Sequence, residues 1–140
     1  MRIMGIDYGD SRVGIALSDP LEITAQGHTT LPNKVYAKML DAVAGIAAEY
    51  NVGKIVLGMP KNLNGTSGDR VEVTQKFHED LQAKLPDTEI VLWDERLTTV
   101  QAAGILNVTN TRGKDRKNVI DTVAAAIILQ SYLDYLKRGD

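Results

Sequence analysis

The spacing of apolar and polar positions changes character several times along the chain. RIMGIDYG and VGIALSDP are short apolar runs separated by the polar Gly9–Ser11, which is the pattern of two strands joined by a tight turn. EITAQGHTTL reads as a third strand, weakened by Gly27. Three strands with short joins predict an antiparallel meander. NKVYAKMLDAVAGIAAEYN then repeats apolar residues at Val35, Met39, Val43, Ile46 and Tyr50, the spacing of an amphipathic helix, with Asn33 as its expected N-cap. KIVLGMP is a continuous apolar run of the kind covered on both faces. KNLNGTSGD is a Gly/Asn loop in which Thr66 and Asp69 resemble a capping box. The following helix is expected to bury Val71, Thr74, Phe77, Leu81 and Leu85. EIVLWDE is a further strand and LTTVQAAGIL a short helix. NVTNTRGKDRKN is expected to be a polar loop, and NVIDTVAAAIILQSYLDYLKR the closing helix. The order βββ-α-β-α-β-α-α implies crossover connections and an α/β fold, a mixed sheet with helices on both faces.

Bulk composition narrows the classes. With 140 residues the chain is expected to form one domain over 1–140 and to bury a full core without covalent staples. It has no Cys, which removes disulfides, thiolate zinc sites and a cysteine nucleophile. No stretch approaches the ~20 apolar residues needed to span a bilayer, and the start lacks a signal-peptide core. The expectation is a soluble cytoplasmic protein with no membrane partner. A net charge of −2 argues against holding nucleic acid by bulk charge, but it leaves room for local basic patches around an acidic centre.

Three carboxylates stand where solvation alone explains them poorly. On a wheel of 100° per residue with Asp121 at zero, Ile128 falls at about −20°, Tyr132 at about +20° and Ala125 at about +40°. Asp121 therefore lies within the apolar stripe of the last helix. A carboxylate serving the helix N-terminus would account for the position along the helix but not for the inward face. Strand alternation groups Val91, Trp93 and Glu95 on one face, with Leu92 and Asp94 on the other; either acid could instead be a solvated strand end, the commoner fate of such residues. Asp7 shares a face with Ile3 and Gly5; the bland alternative is a turn carboxylate bonding the Gly9–Asp10 amides. Acids brought together without partners would neutralise or repel. A divalent cation resolves this, and all-oxygen ligation suits Mg²⁺ or Mn²⁺. Carboxylate-held metal pairs promote in-line phosphodiester displacement without a histidine base.

Several polar residues surround these acids in sequence. The GMPKNLNGTSG loop, with Lys61 and Asn62, has the glycines to bring backbone amides close to a phosphate, though an ordinary strand-to-helix loop would look the same. NVTNTRGKDRKN carries Arg112, Lys114, Arg116 and Lys117 shortly before Asp121, which favours a phosphate-gripping role over a merely solvated loop. Arg12 and Arg96 each lie close in sequence to a candidate ligand and could neutralise a scissile phosphate; Arg12 could instead pair with Asp10 or Asp19.

GIDYGDSRVGIALSD, VLGMPKNLNGTSG, DERLTT and IDTVAAAIILQSYL, in this order, closely resemble the YqgF/RuvX family over essentially the whole chain. The resemblance implies an RNase H-like fold: a five-stranded mixed sheet, its first three strands antiparallel, flanked by helices. It carries the family's acidic triad onto Asp7, Glu95 and Asp121, the positions singled out above, as catalytic and metal-binding residues. It implies a nuclease, acting on pre-16S rRNA in ribosome biogenesis or, alternatively, on four-way DNA junctions. Ser11 and Asp10 depart from the family pattern, where a Lys and a Thr or Asn are expected, and both add negative character beside Asp7.

Two other classes compete. A nucleic-acid-binding module with a degenerate site would suit the low basic content, but not three intact acids. An actin-like phosphotransferase also opens on a Gly-x-Asp-x-Gly turn, yet needs two domains around a nucleotide, and no Walker-type Gly-x-x-x-x-Gly-Lys-Ser/Thr is present. Junction cutting would favour a symmetric dimer. The sequence is compatible with a monomer or a weak homodimer.

Overall fold

The computed structural model describes residues 1–59, 68–94 and 114–138, with side chains throughout except at 68, 69 and 114–121. The strands are β1 (Arg2–Tyr8), β2 (Arg12–Ser18), β3 (Ala25–Pro32), β4 (Val52–Met59) and β5 (Glu89–Asp94). The helices are α1 (Tyr36–Glu49), α2 (Gly68–Lys84) and α3 (Lys114–Lys137). The five strands form one mixed sheet in the order β3-β2-β1-β4-β5. β1–β2 and β2–β3 are antiparallel, while β4 joins β1, and β5 joins β4, in parallel. The carboxyl ends of β1, β4 and β5 therefore share one end of the sheet.

Alternation along β1 divides the core in two. Met4, Ile6 and Tyr8 face a layer that includes Met39, Leu40 and Val43 of α1 and Phe77 and Leu81 of α2. Ile3 faces the opposite layer, with Val56 of β4 and Ala125, Ile128, Leu129 and Tyr132 of α3; Val91 and Trp93 pack against its margin. β1, β4 and β5 thus have apolar residues on both faces, which is why β1 and β4 read as continuous apolar runs rather than alternating ones. Truncating the fully buried Phe77 to Ala would cost about 3–5 kcal/mol.

A row of small residues lets α3 approach the sheet. Gly5, Ala16 and Gly27 lie side by side on β1, β2 and β3. A Cβ on Gly5 would meet Leu129 Cβ at 2.7 Å and the Ala125 carbonyl oxygen at 2.8 Å; one on Gly27 would meet Thr122 Cβ at 3.0 Å. The Gln130 side-chain carbonyl accepts the Ala25 amide at 2.9 Å. From Thr122 at Gly27 to Gln130 at Ala25, α3 runs antiparallel to β3, and hence to β1. Its N-terminal turns lie towards the carboxyl ends of β1, β4 and β5.

Three boundaries differ from the sequence expectation. β3 starts at Ala25 rather than Glu22, because Asp19 holds the preceding amides in a turn: its carboxylate accepts Leu21 N at 3.1 Å and Ile23 N and Thr24 N at 2.7 Å. Glu22 there adopts φ 60°. α1 begins after Val35, and no side chain caps it. Asn33 is not the cap; its amide nitrogen donates instead to the Gly9 carbonyl at 2.9 Å and the Tyr8 hydroxyl at 3.2 Å. α3 starts at Lys114, four residues before the predicted Asn118, so Lys114, Arg116 and Lys117 are helical rather than in a loop. Lys and Arg are good helix formers, and a solvated helix extension needs no apolar stripe to mark it. Thr66 of the expected capping box and the helix predicted over LTTVQAAGIL lie outside the described residues.

Candidate active site

Asp7 is the penultimate residue of β1, half-buried, on the strand face it shares with Ile3 and Gly5. Beyond it, Tyr8 to Arg12 make a turn whose geometry is fixed from two sides. A Cβ on Gly9 would lie 2.5 Å from the Arg12 carbonyl oxygen, so only glycine fits. Asn33, just past β3, grips the turn through its side chain and through its own amide, which donates to the Ser11 carbonyl at 2.9 Å. Tyr8 is buried on the other face, stacked on Phe77 with ring centroids 4.5 Å apart. The backbone of this turn is thus tied to the core and cannot drift relative to Asp7.

At this corner lies a polar hollow of about 360 Å³, lined by Asp7 through Arg12 and by Arg70 of α2. It contains two carboxylates, Asp7 and Asp10, and two guanidinium groups, Arg12 and Arg70. Arg70 donates to the Tyr8 carbonyl at 3.4 Å. The donor atoms here are oxygens, the chemistry that suits a hard divalent cation rather than a soft one. Among the described residues no three His, Cys, Asp or Glu side chains converge on one point.

Of the residues expected at the site, the structure brings Asp7 and Arg12 together at this hollow. Asp121, Lys114, Arg116 and Lys117 lie in α3, with side chains outside those described. Lys61, Asn62, Glu95, Arg96 and Arg112 lie outside the described residues. The stripe containing Asp121 on the helical wheel is the one that packs on the sheet, since Ala125, Ile128 and Tyr132 are all buried. Further along α3, Tyr132 Oη accepts a hydrogen bond from Lys54 Nζ of β4 at 3.0 Å, which raises the Lys54 pKa above its ordinary value.

Arg70 was not among the expected site residues, although its signal was present. On a wheel with Phe77 at zero it falls at about +20°, inside the stripe formed with Leu81 and Thr74. A charged residue closing an apolar stripe is the same irregularity that singled out Asp121. Asn33 carried a misleading signal, because an Asn before an apolar period is an ordinary N-cap.

Comparison with known proteins agrees with this architecture. A family model described as "RuvX: Holliday junction resolvase" matches residues 1–135. A protein of Halothermothrix orenii named "Putative pre-16S rRNA nuclease" is 49% identical over 138 residues, covering 99% of this chain and 98% of its own. One of the same name from Agathobacter rectalis is 48% identical over 142 residues, covering 99% of each. Among solved structures, T. thermophilus RuvC in complex with Holliday junction substrate superposes with a TM-score of 0.64 at 10% identity, covering 99% of this chain and 96% of that one. The mixed five-stranded sheet is thus the RuvC-like RNase H fold, and the chain belongs to the RuvX family.

Proposed function

We propose that the chain is a single-domain, divalent-metal-dependent nuclease of the cytoplasm that trims precursor 16S rRNA, with Asp7, Glu95 and Asp121 as its catalytic carboxylates. The observation that carries the reading is topological. β1 ends one residue after Asp7, and β5 ends at the same end of the sheet with Asp94, the residue before Glu95 in sequence. α3 runs antiparallel to β1, so the step from Ala125 back to Asp121 follows the direction of the step from Gly5 to Asp7. Four helical residues span about 6 Å and two strand residues about 6.6 Å, so these steps are commensurate. In open α/β sheets ligands bind beyond the carboxyl ends of parallel strands, and this is that end. The names of the two relatives supply the substrate.

The residues would divide the work as follows. Asp7, Glu95 and Asp121 would hold one or two Mg²⁺ or Mn²⁺ ions; when bound, these supply Lewis-acid polarisation of the phosphoryl group and a nucleophile at neutral pH. The Asn33-braced turn keeps Asp7 in place without reorganisation during reaction. Arg12 offsets the negative charge beside the strand end. Lys61, Asn62, Arg96, Arg112, Lys114, Arg116 and Lys117 would contact the phosphate backbone, which fixes register rather than sequence. A monomer suffices for this reaction, and a weak homodimer is compatible with it.

A second reading is resolution of four-way DNA junctions, favoured by the description of the matching family. Incubating the chain with a labelled structured pre-16S rRNA fragment and a labelled four-way junction, each with Mg²⁺ or Mn²⁺, separates the two. Cutting of the RNA alone supports rRNA maturation. Cutting of the junction alone moves the function to recombination. Binding of both without cutting would replace the enzyme with a binding module.

A further inference from the structure

Arg70 enters the hollow from the α1/α2 side of the sheet, opposite the side taken by α3. Its side chain is exposed although it lies on the helix's core-facing stripe. Helix stability does not explain a cation in the first turn, where the dipole opposes positive charge. Among the described residues, the Tyr8 carbonyl accepts a long hydrogen bond of 3.4 Å from one of the five guanidinium N–H donors of Arg70. Nor is Arg70 needed to hold the β1–β2 turn, which Asn33 already fixes with two contacts at 2.9 Å.

The charge balance of the hollow gives Arg70 a use. A nucleic-acid strand entering here meets Asp7 and Asp10, both repulsive. Arg12 and Arg70 match that charge, and a guanidinium can bind phosphate oxygens through two parallel N–H donors. We infer that Arg70 is a positioning residue that grips a backbone phosphate of the substrate beside Asp7, from the face of the sheet opposite α3. The inference rests on the nuclease reading of this hollow and adds to it a residue outside the acidic triad and the basic segments.

The test uses the full chain, wild type, Arg70→Gln and Arg70→Lys, with a labelled RNA hairpin bearing a single-stranded 5′ extension. Binding is titrated in EDTA across a range of KCl, and melting temperatures are recorded alongside. Arg70→Gln is expected to weaken binding about 5–10-fold and to flatten the slope of log Kd against log salt by about 0.7–0.9, the loss of one phosphate contact. Its melting temperature should stay within about 2 °C of wild type. Arg70→Lys should keep the salt slope but slow single-turnover cleavage, because an ammonium lacks the planar fork. Unchanged affinity and slope in Arg70→Gln would overturn the inference. So would a melting temperature lowered by more than about 5 °C in both variants, which would make Arg70 a clamp between α2 and the turn. If only Arg70→Gln melts early, Arg70→Lys decides: slowed cleavage supports the inference and wild-type cleavage overturns it. A wild type that binds but never cuts would sink the nuclease reading while leaving the salt-slope comparison valid.

Discussion

Gly9 is the residue on which the corner beside Asp7 turns. A methyl group there would collide with the Arg12 carbonyl oxygen at 2.5 Å, and backbone cannot swing aside as a flexible side chain can. Gly9→Ala is expected to destabilise the fold by about 1–3 kcal/mol, read from urea unfolding. Cleavage should fall further than stability accounts for, because the displaced turn carries Arg12 and adjoins Asp7. Wild-type stability in this variant would mean that the turn is looser than its contacts indicate. At this scale the sequence was unevenly informative. Asp7, a carboxylate closing an apolar run, stands out in the sequence, and the structure sets it at the polar hollow; Asp121 stands out by the same conflict, with its side chain outside those described. Arg70 is legible by the same logic, as a cation on the stripe of Phe77, Leu81 and Thr74, although the apolar members of that stripe dominate its pattern. The bracing role of Asn33 was not legible, because it depends on a contact across 24 residues of sequence with the Gly9 carbonyl.

Among elements, the seating of α3 on the sheet matters most for function. Gly5→Ala would place a Cβ against Leu129 Cβ and the Ala125 carbonyl, so α3 must lift or slide. A loss of about 1–3 kcal/mol is expected, with a larger loss of activity, because the same helix carries Asp121. Activity falling only in step with stability would show that the helix position does not govern the site. α1 and α2 are tied by a separate contact: Asp80 accepts the Tyr36 hydroxyl at 2.6 Å and Lys76 Nζ at 2.8 Å. Lys76 first, then Tyr36, holds the Asp80 pKa below its ordinary value. A lowered folded pKa stabilises the protein above the ordinary carboxylate value of 3.8, and that contribution is lost as pH falls through the folded value. Asp80→Asn should therefore be less stable than wild type at pH 7 and indistinguishable from it near pH 2; a gap that persists in acid would assign the difference to packing. The strands and the first two helices were readable from period and turn residues. The start of α3 was not, since Lys114 to Asn118 carry no apolar period and are helical only as an extension of a packed segment.

For the whole molecule, the mixed sheet and its order follow from the strand meander and the two parallel crossovers, all of which left a mark in the sequence. Membership of the RuvX family agrees with that architecture. The described residues include no helix long and apolar enough to cross a membrane. With a net charge of −2, the chain must bind nucleic acid through local cations rather than its overall field, so binding should weaken steeply with salt while remaining confined to one end of the sheet. What unites these features is the claim that three carboxylates from β1, the end of β5 and α3 act as one centre. The most direct test is metal-dependent cleavage of a labelled pre-16S rRNA fragment by wild type, Asp7→Asn, Glu95→Gln and Asp121→Asn, with melting temperatures measured without metal. The account predicts that each substitution slows cleavage by about a hundredfold or more while the protein still melts cooperatively near the wild-type temperature. Wild-type cleavage by any one of the three folded variants would contradict the assignment of that carboxylate and, with it, the shared centre.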